Sequence, residues 1–302
     1  MTLPMHTRTV HPGQTFNMAA YTISRAALSS PDKQALVVIG DADASEPEEV
    51  WTYARLEAAV LAVAAGLREQ GYARGSRVII RLENTSQYPI AFFGAIAAGL
   101  VPVATSAMLT ASEAAFLIRD SGASAVVLAD GLPLDPMPDG VDVISSRDVS
   151  GWIEQTVSST YAFTKGDDPA FLIYTSGTTA QPKGVLHAQR SIIGRRPMVE
   201  GWYGLSAADS MLHAGAFNWT YTLGTGLADP WAIGATAIIY TGAKDPARWP
   251  KLIENTGATI FAAVPGVFRQ MLKYGAPSAG NLGRLRHGLI AGETPEIGRA
   301  HV

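Results

Sequence analysis

Apolar runs of strand length recur along this chain and alternate with longer segments whose apolar residues fall at helical spacing. QALVVIG (34–40), RVIIRLE (77–83), SAVVLAD (124–130), AFLIYTSG (170–177), ATAIIYTG (235–242), ATIFAAV (258–264) and LRHGLIAGE (285–293) read as strands. Between them, helices are predicted over Tyr53–Gln70 with Gly71 as the stop, over Val185–Val199, over 245–257 and over Pro265–Tyr274. Thr110 and Glu113 form a T-x-x-E capping pattern that opens a helix to Asp120, and Asn17 is placed to cap one through Leu28. Strand–helix alternation predicts an α/β fold of layered, mostly parallel sheets with right-handed crossovers. The acidic run DADASEPEE (41–49) reads as a hairpin tip and GLPLDPMPDG (131–140) as a loop. The polar connection SSTYAFTKGDD (158–168) predicts a division into sub-domains 1–165 and 166–302.

No charged residue occurs between Glu83 and Glu113, and IAFFGAIAAGLVPVATSAML (90–109) is about long enough to span a bilayer. Gly94, Gly99 and Pro102 interrupt it, and no basic residues flank it. A buried helix to Ala98, a turn at Gly99–Leu100 and a buried strand at Val101–Ala104 are therefore expected, with no membrane partner. The N-terminus lacks the continuous apolar segment of a secretory signal. Lys and Arg total 23 against 26 Asp and Glu, so no overall positive field recruits nucleic acid. At 47% hydrophobic and 16% charged residues the chain is not of a disordered type. The absence of cysteine excludes disulfides, thiolate metal sites and cysteine nucleophiles, and fits a cytoplasmic location.

The most informative segment is Tyr174-Thr-Ser-Gly-Thr-Thr-Ala-Gln-Pro-Lys-Gly184. Thr175, Ser176, Thr178 and Thr179 place four hydroxyls around Gly177, and Lys183 adds one mobile positive charge. Small residues let backbone N–H groups turn toward an anion, while hydroxyls and an ammonium complete an oxygen-binding cage. The order differs from a Walker A loop, because Lys183 precedes Gly184.

This loop (174–184) resembles the phosphate-binding signature of adenylate-forming enzymes: acyl- and aryl-CoA synthetases, peptide-synthetase adenylation domains and luciferases. The resemblance extends to FFGAIAAGLVPVATSAMLTASE, to KGVLHAQRS with His187 in a local helix-start contact, and to FNWTYTLGTGLADPWAIGATAIIYTG. The last is similar to the acetyl- and medium-chain acyl-CoA synthetase branch, which has a tryptophan where Trp219 stands. LRHGLIAGETP resembles the family's glycine–glutamate turn, and Thr294 is closer to the serine of the medium-chain branch than to the proline of the acetyl branch. The family's later Tyr-Gly-x-Thr-Glu motif, ribose-binding aspartate and C-terminal lysine domain do not occur before Val302. The chain thus reads as part of the N-terminal domain of such an enzyme, and residues 1–302 alone are expected to be inactive.

The resemblance implies an ATP-dependent acid–CoA ligase that adenylates a carboxylate and then forms a thioester with coenzyme A. Thr175, Ser176, Gly177, Thr178, Thr179, Lys183 and Gly184 would bind the ATP phosphates, with Thr175 and Lys183 in catalytic contact and Thr175 or Thr178 touching Mg2+. Gly292, Glu293 and Thr294 would line the adenine and ribose side. Trp219, Ala263, Val264, Pro265, Gly266 and Ala291 would form the acid pocket, with His213 a lesser candidate. No charged side chain stands in that set, which favours an apolar aliphatic or aromatic monocarboxylic acid. The alternatives are an adenylation domain that loads a carrier protein, and a non-catalytic ATP-binding fragment.

Overall fold

The computed structural model describes residues 9–134, 137–155, 159–175, 181–243, 245–275 and 282–292. The first half forms α1 (Arg25–Ser29), β1 (Gln34–Ile39), β2 (Glu49–Thr52), α2 (Tyr53–Glu69), β3 (Arg77–Arg81), α3 (Gln87–Ala98), β4 (Val101–Ala104), α4 (Ala111–Ser121), β5 (Ala125–Leu128), β6 (Asp142–Ser145) and α5 (Ser146–Glu154). Then come β7 (Pro169–Thr175), β8 (Lys183–Ala188), α6 (Arg196–Met198), β9 (Ser210–His213), α7 (Asp229–Ile233), β10 (Thr236–Tyr240), α8 (Trp249–Thr256), β11 (Ile260–Ala263), α9 (Pro265–Gln270) and β12 (His287–Ile290).

Two six-stranded sheets result, in the orders β12-β11-β9-β10-β1-β2 and β6-β5-β3-β4-β7-β8. Each is parallel except for one edge strand: β2 runs antiparallel to β1, and β8 antiparallel to β7. The α/β prediction therefore holds. The expected division at 165/166 does not coincide with the boundary between the sheets. β1 pairs with β10 far downstream, and β7 pairs back to β4. A linker's polarity reports exposure and carries no information about which strands lie side by side.

The main core joins both sheets through α2 and α3: Leu36 and Val38 of β1 share one apolar cluster with Val78 and Ile80 of β3. The far face of the first sheet is covered by α8 through Trp249, Leu252 and Ile253. The far face of the second packs Ile79, Val103 and Val126 against Ile118 of α4. Helix α3 is buried from Tyr88 through Ala98, as a helix apolar all round must be. Gly94 allows its close approach to α2, since a Cβ there would lie 2.6 Å from Val63 Cγ1. At Gly99 the backbone enters the left-handed region (φ 82°), ends α3 and feeds β4. The uncharged stretch is thus a helix-turn-strand, and no helix among the described residues is long and apolar enough to cross a membrane.

The predicted cap of α4 forms in full: Thr110 Oγ1 accepts from Glu113 N at 3.3 Å, and Thr110 N donates to Glu113 Oε2 at 2.8 Å. Thr110→Ala should cost about 0.5–2 kcal/mol of stability, the usual loss for a removed N-cap. Urea denaturation checks this, and an unchanged midpoint would show the cap to be dispensable. A second box, Ser145 with Asp148, opens α5 and was not anticipated, although S-x-x-D is readable in the sequence.

The helix predicted over Val185–Val199 is wrong at its start. Residues 183–188 pair antiparallel with β7, from Thr175↔Lys183 back toward Pro169↔Ala188, and the chain then makes a 3-10 turn over Gln189–Arg195. Helical backbone starts only at Gln189 and continues through α6 to Tyr203, and Gln189 pins its first turn. The buried Gln189 side chain accepts from Met18 N at 2.7 Å and donates to Pro169 O at 3.1 Å.

Candidate functional site

The Ser/Thr/Gly loop is therefore the tip of a β7–β8 hairpin, not a strand-to-helix turn. Its root is set by the register, which puts Thr175 directly opposite Lys183 and Tyr174 opposite Gly184. Thr175, Lys183 and Gly184 are exposed, and among the described residues no carboxylate pairs with the Lys183 ammonium. Ser176, Gly177, Thr178 and Thr179 lie outside the described residues. Gly184 sits where a Cβ would meet Leu172 Cδ2 at 3.2 Å. Tyr174 donates to Asp120 Oδ2 at 2.5 Å, which ties the hairpin root to α4. Burial, then the hydrogen bond to Asp120, pushes the Tyr174 hydroxyl pKa up. A neutral donor results.

Farther down the hairpin His187 faces Phe171, and their rings stack at 4.4 Å and 8°. Burial, then the nearby Arg195 charge, pushes the His187 pKa down. Both rings line a cavity of about 320 Å³ with Phe92 and Phe93 of α3 and Leu223 and Gly224 of a π-helical segment, 222–228. Register places this cavity four residues, roughly 13 Å at 3.3–3.4 Å per residue, from the Thr175 end of β7. His187 thus lies within β8, stacked on Phe171, and not in the helix-start contact expected of it.

At the end of the first sheet, the turns after β11 and β12 run side by side. Ala263 pairs with Ile290, and Gly292 (φ 101°) packs so closely that a Cβ there would meet Val264 Cγ1 at 3.3 Å. The predicted residues Ala263, Val264, Pro265, Gly266, Ala291 and Gly292 are thus neighbours in space, while Glu293 and Thr294 lie outside the described residues. Such carboxyl ends of parallel strands are where open α/β sheets bind ligands. Trp219 is 52% exposed and makes no described contact with that group. The alternative of core packing for Trp219 is excluded by the same exposure.

The segment between β9 and 222–228 connects the two sheets. Phe217 N donates to Asn84 Oδ1 at 3.0 Å beyond the end of β3, and the Phe217 ring packs on Tyr88 at 5.4 Å. Tyr221 donates to Leu289 O at 3.2 Å on β12. His213, at the end of β9, pairs with Ala262 and is only 6% exposed. Its Nδ1 accepts from Gly215 N at 2.9 Å, which assigns the proton to Nε2. Burial pushes the His213 pKa down to about 3, so the ring is neutral. Nε2 is buried with no hydrogen-bond partner among the described residues. Leaving such a group unsatisfied costs about 1–3 kcal/mol.

A buried ion pair fixes the segment that follows the hairpin. Arg195 donates from Nε to Asp229 Oδ1 at 2.8 Å and from Nη2 to Asp229 Oδ2 at 2.6 Å, and Tyr203 also donates to Asp229 at 3.1 Å. Burial pushes the Asp229 carboxyl up, and the Arg195 hydrogen bonds and charge act against that shift. The guanidinium crosses the 222–228 segment at Gly224, where a Cβ would lie 2.3 Å from Arg195 Cζ. Asn84, Tyr221, Arg195 and Asp229 were not predicted. Each acts through a partner more than thirty residues away or on another element, and no local pattern announces it.

With this geometry in place, comparison with known proteins adds the following. The family described as AMP-binding enzyme matches residues 23–300. The benzoate–CoA ligase of Thauera aromatica is 32% identical over 270 residues, 82% of this chain and 50% of the relative. The 4-hydroxybenzoate–CoA/benzoate–CoA ligase of Rhodopseudomonas palustris is 31% identical over 245 residues, 75% of this chain and 45% of that protein. A benzoate CoA ligase structure from Burkholderia xenovorans LB400 aligns with a TM-score of 0.79 at 26% identity, covering 93% of this chain and 56% of that one. The chain spans about half the length of the curated relatives it matches.

Proposed function

Because the chain belongs to the AMP-binding enzyme family, we propose that the whole protein is an ATP-dependent ligase joining an aromatic monocarboxylic acid to coenzyme A. The observation that carries this reading is the hairpin root, Thr175 opposite Lys183, at the carboxyl end of a parallel-sheet strand within the family match. The relatives named for benzoate and 4-hydroxybenzoate favour an aromatic over an aliphatic acid. An acid wall of Ala263, Val264, Pro265, Gly266 and Ala291 without a charged side chain favours one carboxylate over two.

In the proposed reaction a carboxylate oxygen attacks the α-phosphorus of ATP, the α–β bridging bond breaks, and pyrophosphate departs with its electron pair. The coenzyme A thiol, losing its proton, then attacks the acyl carbon, and AMP leaves. The protein's part is positioning and charge stabilisation, so no protein nucleophile is required. Lys183 would contact the β- and γ-phosphate oxygens as a point charge, with Thr175 and the loop hydroxyls beside it. Gly292, with no side chain at the close approach to Val264, would leave room for the nucleotide's sugar and base. Mg2+ would neutralise phosphate charge. A Thr175 hydroxyl suits a hard dication held chiefly by phosphate oxygens and water, and the described residues contain no cluster of three His, Asp or Glu that could hold a metal ion.

The test is acid-dependent formation of AMP and pyrophosphate by the whole protein with benzoate, 3- and 4-hydroxybenzoate, acetate and octanoate, with and without coenzyme A. Benzoate or a hydroxybenzoate should be the preferred acid, with thioester forming only when coenzyme A is present. Turnover confined to acetate or octanoate, or no AMP with any acid, would overturn the reading.

A further inference from the structure

The buried imidazole at the end of β9 has a donor with nothing to donate to. Its Nδ1 is occupied by the Gly215 N–H, and Nε2, the ring corner farthest from its own backbone, has no partner among the described residues. The ring is held in place from three sides. A Cβ on Gly215 would lie 2.8 Å from its Cε1, a Cβ on Gly226 would lie 3.0 Å from its Cβ, and Tyr221 packs edge-on with centroids 4.7 Å apart. Backbone pairing with Ala262 puts His213 beside the strand that runs directly into Ala263 and Val264. Tyr221 in turn reaches Leu289 on β12, two residues before Ala291. A fixed, unsatisfied donor on the sheet face that His213 shares with Ala262 and Leu289, one strand from the turn into Val264, is an arrangement that can discriminate between ligands differing by one acceptor atom. Without the acceptor the donor stays unpaired, and with it the donor is satisfied.

We propose that His213 is a specificity-determining residue whose Nε2–H donates to a ring-borne oxygen, a hydroxyl or an alkoxy group, on an aromatic monocarboxylic acid. The inference rests on the acid-ligase reading above and adds to it the substituent that the site reads. A neutral ring brings no charge, so it selects a neutral oxygen rather than a second carboxylate. Tyr221, which packs edge-on against the imidazole and is itself half-buried, is the side chain an entering substituted ring would have to pass.

Calorimetry of the whole protein with benzoate, 3-hydroxybenzoate and 4-hydroxybenzoate tests the assignment. Wild type should bind one hydroxybenzoate at least about tenfold more tightly than benzoate, a preference typical of one satisfied polar contact. His213→Phe, which keeps a ring and removes the donor, should bring the two affinities to within about twofold of each other. His213→Gln, which retains an N–H, should keep part of the preference. The wild-type ¹⁵N shift of Nε2 should move with the hydroxybenzoate and not with benzoate, a readout that needs no folded variant. A hydroxybenzoate preference that survives in His213→Phe, its absence in wild type, or an unmoved Nε2 shift would overturn the proposal and leave the ligase reading standing. Failure of wild type to bind any of the three acids would overturn both.

Discussion

Asp229→Ala should lower stability by about 3–5 kcal/mol, because it leaves the Arg195 guanidinium buried without its counter-charge. Asp229 is 1% exposed and accepts from Arg195 Nε and Nη2 and from Tyr203; Nη2 and the Tyr203 hydroxyl keep Thr225 as a partner, so the loss falls on Nε and on the missing counter-charge. The pair also links the turn after β8 to the head of α7, and its loss should loosen the base of the hairpin. Urea denaturation at neutral pH supplies the measurement. The double variant Arg195→Met/Asp229→Leu should recover most of the loss, since apolar replacement of a whole buried pair is often neutral or stabilising. A single-variant loss below about 1 kcal/mol would show that water, not Asp229, neutralises the guanidinium.

Lys183→Ala should weaken ATP binding by about 1.5–3 kcal/mol, the range for a hydrogen bond to a charged group, or about 10- to 150-fold in Kd. The side chain is exposed and, among the described residues, bound to no carboxylate, so the melting temperature should stay near wild type. Opposite Thr175 at the hairpin root, a lysine is held close to the loop by backbone pairing alone. Calorimetry with ATP, together with a melting curve, separates loss of a phosphate contact from loss of fold. Unchanged ATP affinity would make Lys183 an ordinary edge-strand residue.

What the sequence disclosed follows the range of the forces involved. α3 was readable because eleven consecutive buried residues and a Gly99 stop are local facts, and the Thr110 cap lies within four residues of its partner. The turns after β11 and β12 were placed together by the family resemblance, and in the structure Ala263 pairs with Ile290 beside them. β8 was misread because VLHA is apolar enough for a helix face, and only its pairing with β7 shows it to be a strand. Trp219 was legible only through its motif position, since a side chain that is 52% exposed belongs to no burial pattern. The Arg195–Asp229 pair spans 34 residues, and Phe217 and Asn84 are 133 apart. Charge and amide chemistry at such separations carry no periodicity to read.

The interleaving of the sheets also fixes an order of assembly. β3 through β8 occupy one continuous stretch, so the second sheet can close as soon as that stretch is available. β1 cannot find β10 until about 200 further residues exist, as the pairing of Leu36 with Ala237 requires. At ribosomal rates of roughly 5–20 residues per second, that delay is about 10–40 s. Throughout it, the hairpin of β1 and β2 waits with the edge that β10 will occupy unpaired. A newly made chain is thus most exposed to mispairing and chaperone capture through its first fifty residues, long before the nucleotide loop or either sheet end has anything to bind.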